Sequence, residues 1–174
     1  MSERKSDSGM ETLDIEIQCP VQTRTLAVLR AFAAAVATQM GFDDEEADKI
    51  EMAVDEACAN VVRHAYKHLG VSPDLPAERQ TPDPETHRSC VLKVRIAFTE
   101  DCLEIAIIDH GIGQNNTPPG VSSVEEFTAR GGGGGLGVYI IRNFMDEVAY
   151  EYPPECGTRL TMKKYLRPAE QSPG

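Results

Sequence analysis

Five consecutive glycines, residues 131–135, are followed at once by Leu136 and Gly137. No helix or strand forms readily across such a run, because glycine loses more backbone freedom on ordering than any other residue. The chain must therefore leave a loop and start a new element here, with backbone bare of side chains. Apolar residues resume at helical spacing, which predicts a helix from Leu136 to about Met145. Glycine-rich backbone leading into a helix N-terminus is a phosphate-binding arrangement, since free N–H groups converge on the anion. A flexible linker is the other reading of such a run. It is not a Walker A loop, because no Gly-Lys-Ser/Thr follows. Nor does it open the helix of a first βαβ unit, as a dinucleotide fingerprint would.

The rest of the chain reads as one α/β pattern. Residues 12–18 alternate Leu13, Ile15 and Ile17 with Asp14 and Glu16, the signature of a half-buried strand. Pro20 ends it. Residues 21–40 turn helical, with Leu26, Leu29, Ala33, Val36 and Met40 at three- and four-residue steps. Gly41 stands where a C-terminal cap belongs. Asp43 or Asp44 can cap the next helix, which runs to about Tyr66 on a stripe of Ala47, Ile50, Val54, Cys58, Val61 and Ala65. Strands are predicted over residues 91–99 and 102–109, joined at Glu100-Asp101. The second is the more continuously apolar, so it is central. Strands over residues 147–152 and 158–164 close the pattern.

Between these elements lie segments of different character. Residues 68–89 carry Pro73, Pro76, Pro82 and Pro84 with many charges, and read as a long inserted loop. Residues 1–11 and 167–174 read as disordered ends. One domain is expected over residues 12–166, with a lid over residues 114–135.

A formal net charge of −11 argues against binding nucleic acid by phosphate neutralisation. It leaves room for a protein partner with a basic surface. No apolar run reaches the roughly 18 residues of a membrane span, and residues 1–9 lack the apolar stretch of a secretory signal. A cytoplasmic protein is expected. Cys19, Cys58, Cys90, Cys102 and Cys156 are scattered and form no C-x-x-C, so reduced, mostly buried thiols are expected.

Two further constellations carry chemistry. Glu56 and Asn60 stand four apart, so they project from one helical face beside the core stripe. A carboxylate there can orient or deprotonate a nucleophile. An amide oxygen can serve as a hard ligand for Mg²⁺, which uses few protein ligands. Both residues also suit an ordinary solvated face. The second constellation, Asp109-His-Gly-Ile-Gly113, follows an apolar strand directly. Its carboxylate can accept a hydrogen bond from an exocyclic amine such as that of adenine. Its glycines, Gly111 and Gly113, let backbone approach a flat ring. An ordinary Asp-plus-Gly turn is the alternative.

Taken together and in order, these features resemble the GHKL ATPase superfamily, the group that includes gyrase and the histidine kinases. The helix matches its N box, residues 109–113 its first glycine box and Gly135-Leu136-Gly137 its second. Within that group the chain is most similar to the anti-sigma factor serine/threonine kinases. Residues 54–66, 134–139, 144–148 and 157–166 carry this likeness. The resemblance implies a Bergerat-type ATP-binding fold: a two-layer α/β sandwich of a mixed, mostly antiparallel sheet with helices on one face.

The resemblance also implies roles. Asn60 coordinates Mg²⁺ on ATP, and Glu56 is the general base toward a Ser or Thr hydroxyl. Asp109 receives the adenine amino group, with Gly111 and Gly113 near the ring and Thr158 close by. Gly133, Gly134, Gly135, Leu136 and Gly137 lie against the phosphates, and Arg130 reaches the γ-phosphate. The implied protein sequesters a sigma factor, phosphorylates an anti-anti-sigma (STAS-type) protein and works as a homodimer. The alternative is an ATP-binding switch that sequesters its partner without kinase turnover. The long insertion and the extended glycine run are departures from the family that would favour the switch. His64 and His68 lack a third ligand nearby and are read as solvated or locally hydrogen-bonded.

Overall fold

The computed structural model describes residues 13–21, 23–64, 91–110, 136–153 and 157–167. They form strand β1 (Leu13–Pro20), helices α1 (Thr23–Gln39) and α2 (Asp44–His64), and strands β2 (Val91–Thr99) and β3 (Cys102–Asp109). Helix α3 (Leu136–Phe144) and strands β4 (Glu147–Glu151) and β5 (Thr158–Tyr165) follow. The strands make one sheet in the order β1-β2-β3-β5-β4, so β3 is central as expected. Every strand pairing among the described residues is antiparallel, which is more uniform than the mixed sheet expected.

Alternation divides the sheet into two faces. On one, register aligns rows of apolar side chains across the strands. One row runs Ile17, Val94, Ile107, Leu160 and Tyr150; the next runs Ile15, Ile96, Ile105, Met162 and Val148. Apart from Ile15 on the edge strand, these rows join Leu29, Ala33, Ile50, Val54 and Ile141 of the helices in one core. The other face is open and charged. Arg95 makes two hydrogen bonds to Asp14, at 2.8 and 2.6 Å. Lys93 pairs with Glu16, Lys163 with Glu104 and Glu147, and Arg159 with Glu151.

Local chemistry sets the element ends. Gly41 takes φ 98°, and the Phe42 N–H donates back to the Ala37 carbonyl at 3.1 Å, a left-handed cap that stops α1. Asp43 is the N-cap of α2: its Oδ1 accepts the Glu46 N–H at 2.8 Å. β1 runs past the expected Gln18, and Pro20 ends it, paired with Val91 as the last strand residue. β1 is an edge strand, where a residue without an N–H is tolerated. The core stripe of α2 holds, with Ala47, Ile50, Val54 and Cys58 buried and Val61 packed against them.

Cys58 is buried, whereas Cys19 and Cys102 are half-buried, and all three are free thiols. Among the described thiols burial is thus less complete than expected; Cys90 and Cys156 lie outside the described residues. No helix among the described residues is long and apolar enough to cross a membrane. The expected N-terminal segment, the whole insertion, the whole lid and the tail beyond Arg167 lie outside the described residues.

Candidate functional site

α2 and α3 meet where the glycine-rich segment enters its helix. Glu56 and Asn60 lie half-buried on α2, one turn apart. Gly137, in the first turn of α3, packs directly onto them. A Cβ built on Gly137 would stand 2.5 Å from Glu56 Oε2, 3.3 Å from Glu56 Cδ and 3.4 Å from Asn60 Nδ2. Glycine is needed here for close approach. Leu136, the first residue of the helix, is exposed. The contact sets a carboxylate and an amide beside a helix start, whose first N–H groups lack intrahelical partners.

Asp109 ends β3 and is only 1% exposed. Carboxylates are almost never so buried without partners. Register places it between Leu92 of β2 and Thr158 of β5, in the same row on the helix side of the sheet. The Gly157 N–H donates to the Asp109 carbonyl at 2.9 Å, which pins the start of β5 to the end of β3. Thr158 therefore stands directly beside Asp109. Neighbouring strands are about 4.8 Å apart, so one planar ring can meet both a buried acceptor and a hydroxyl.

The expected residues thus fall into two groups. Glu56, Asn60, Leu136 and Gly137 form one, around the start of α3. Asp109 and Thr158 form the other, at the sheet end. Gly111, Gly113, Arg130, Gly133, Gly134 and Gly135 lie outside the described residues. His110, just past Asp109, is exposed.

Two features of this frame are not evident from motifs. Cys58 lies on α2 between Glu56 and Asn60 and points into the core; burial, followed by the Cys19 and Asp55 charges, pushes its thiol well up. Lys164, near the end of β5, is buried and bonded to Glu46 of α2 and to the Phe144 carbonyl of α3. The signal for its burial is phase: it falls in step with Leu160 and Met162.

The residues present suit a nucleotide with Mg²⁺. Gly137 brings bare backbone directly against Glu56 and Asn60, where any side chain would collide with the Glu56 carboxylate. Asn60 offers the neutral hard oxygen that Mg²⁺ accepts while keeping several waters. Asp109 offers a buried carboxylate to an amino-bearing ring.

The chain is similar to known proteins over most of its length. Residues 19–164 match the family described as the histidine kinase-like ATPase domain. The serine-protein kinase RsbW of Bacillus pumilus is 32% identical over 168 residues, covering 90% of this chain and 88% of that protein. The serine-protein kinase RsbW of Bacillus licheniformis is 30% identical over 156 residues, covering 87% and 85%. The crystal structure of the SiaB-SiaC complex from Pseudomonas aeruginosa shares the fold, with a TM-score of 0.54 at 12% identity over 87% of this chain and 88% of that one. The chain belongs to the histidine kinase-like ATPase domain family.

Proposed function

We propose that this chain is an anti-sigma regulatory factor that binds Mg·ATP, sequesters a sigma factor and phosphorylates an anti-anti-sigma (STAS-type) protein on Ser or Thr. The observation that carries the reading is the packing of Gly137 onto Glu56 and Asn60, in a chain about 30% identical to proteins named serine-protein kinases. Bound Mg·ATP supplies the transferable phosphoryl group and the metal charge that neutralises it. Asn60 holds the metal. Asp109 and Thr158 orient adenine, with Gly111 and Gly113 beside the ring. Gly133, Gly134, Gly135, Leu136 and Gly137 line the phosphates, and Arg130 touches the outermost one.

Glu56 orients the partner's hydroxyl and takes its proton. Positioning dominates phosphoryl transfer, so a docked protein substrate is needed and free peptides react slowly. The protein acts in the cytoplasm as a homodimer, the dimer resting on family likeness alone.

Radiolabelled ATP with the cognate anti-anti-sigma protein tests the reading. Label should pass to Ser or Thr of that protein. Glu56→Gln should keep ATP and lose transfer, and Asn60→Ala should lose Mg-dependent ATP binding. Bound ATP without transfer would leave the ATP-binding switch. Normal transfer by Glu56→Gln would remove Glu56 as the base.

A further inference from the structure

Lys164 is 6% exposed, and its ammonium meets three groups from separate places in the chain. Nζ lies 2.6 Å from Glu46 Oε2 in the first turn of α2. It donates to the carbonyl of Phe144, the last residue of α3, at 2.9 Å. Asp146 Oδ1, in the turn after α3, is 3.9 Å away. An ammonium carries three donors and no acceptor, and burying it is costly unless those donors are met. The Phe144 carbonyl belongs to the C-terminal set that finds no partner inside its own helix, and it marks the negative end of the helix dipole. Lys164 satisfies it.

One side chain thus joins the end of α3 to the beginning of α2. At their other ends Gly137 meets Glu56 and Asn60. The two helices are antiparallel rods fastened at both ends. α3 has nine residues, so it is a rod about 13 Å long. A stiff rod of that length passes a tilt at its C-terminus to its N-terminus. The groups at the sheet end are placed differently. Asp109 and Thr158 owe their separation to strand register and to the Gly157–Asp109 hydrogen bond.

We propose that Lys164 is a positioning residue for the phosphate end of the site: by fastening the C-terminus of α3 to Glu46, it sets how Gly137 lies against Glu56 and Asn60. The proposal rests on the reading of the site as an ATP site. It separates two parts of one ligand. Contacts to phosphate depend on the Lys164 junction, and contacts to adenine do not.

Calorimetric titration of the full chain with Mg·ATP and with adenosine tests this. The double variant Glu46→Gln/Lys164→Met leaves no unpaired charge at the junction. Its affinity for Mg·ATP should fall about tenfold or more, since misplacement of about 1 Å has effects of that order. Its affinity for adenosine should stay within about twofold, the small change expected at a site with no shared partner. Lys163→Met, on the open face of the same strand, should change neither. Equal loss for both ligands would mean general loosening and overturn the proposal, as would undiminished ATP affinity. Should the double variant fail to fold, Glu46→Gln alone carries the test through the same split. A wild-type chain that binds neither ligand would overturn the ATP reading itself.

Discussion

Gly137 and Glu56 are in such close approach that a single methyl group cannot stand between them: a Cβ on Gly137 would come within 2.5 Å of Glu56 Oε2. Gly137→Ala should therefore displace the carboxylate rather than unfold the helix. Alanine favours a helix over glycine by roughly 1 kcal/mol, so the melting temperature should hold or rise. Nucleotide affinity and transfer should both fall, by about tenfold or more if a shift near 1 Å results. Calorimetry and a label-transfer assay on one preparation separate these effects. Unchanged binding would show that Glu56 can swing away at no cost.

The Asp109–Thr158 pair predicts base selectivity. Asp109→Asn keeps the shape of the side chain and removes its charge. A hydrogen bond to a charged group contributes about 1.5–3 kcal/mol, so ATP affinity should drop roughly tenfold to a hundredfold. Preference for ATP over GTP should narrow in parallel. Competition binding reads both; a retained preference would place adenine recognition elsewhere.

Glu46 gives the fold an acid-sensitive component. Burial works to raise its carboxyl, but hydrogen bonds from Lys164 and Lys49 outweigh it and hold the group below its usual 4.5. A carboxylate with a lowered folded pKa stabilises above the unfolded value, and that contribution is lost as pH falls through the folded one. The urea midpoint should decline below about pH 4.5. Asp14, held down by its Arg95 hydrogen bond, and Glu147, held down by Tyr165 and Lys163, contribute in the same direction. Glu46→Gln should flatten part of the decline. Superimposable midpoint-against-pH curves for the two proteins would reject the assignment.

Thiol labelling should follow burial. The thiolate is the reactive form, and burial disfavours it at Cys58 more than at Cys19 or Cys102. Among these three, Cys58 should react last with a disulfide reagent at pH 8, and react freely once urea is added. Peptide mass spectrometry after timed quenching reads the order. Early labelling of Cys58 would mean that α2 parts readily from the sheet.

Much of this frame is legible along the chain because its signals are local. Leu92, Val94, Ile96 and Phe98 alternate, and that alternation is β2. Gly41 and Asp43 mark the ends of two helices within a few residues. The Asp109–Thr158 pairing is of another kind. It comes from the strand order, in which β5 inserts between β3 and β4, and adjacency across a sheet leaves no mark in either strand alone. Thr158 is reachable from sequence only through family likeness. The approach of Gly137 to Glu56 is equally non-local. Lys164 is masked by its type, since a lysine near a strand end usually reaches water; only its phase with Leu160 and Met162 sets it apart.

The open face of the sheet bears on how the protein is seen from a distance. Its acids Asp14, Glu16, Glu104, Glu147 and Glu151 are set against Lys93, Arg95, Arg159 and Lys163 in cross-strand pairs. That face thus holds a single unit of the −11 total. α2 alone holds seven acids against two bases. The negative field projected beyond the first layers of water therefore originates off the sheet face. The nearly balanced sheet face therefore does little to guide a cationic body from a distance, and salt weakens any such guidance long before it loosens the fold.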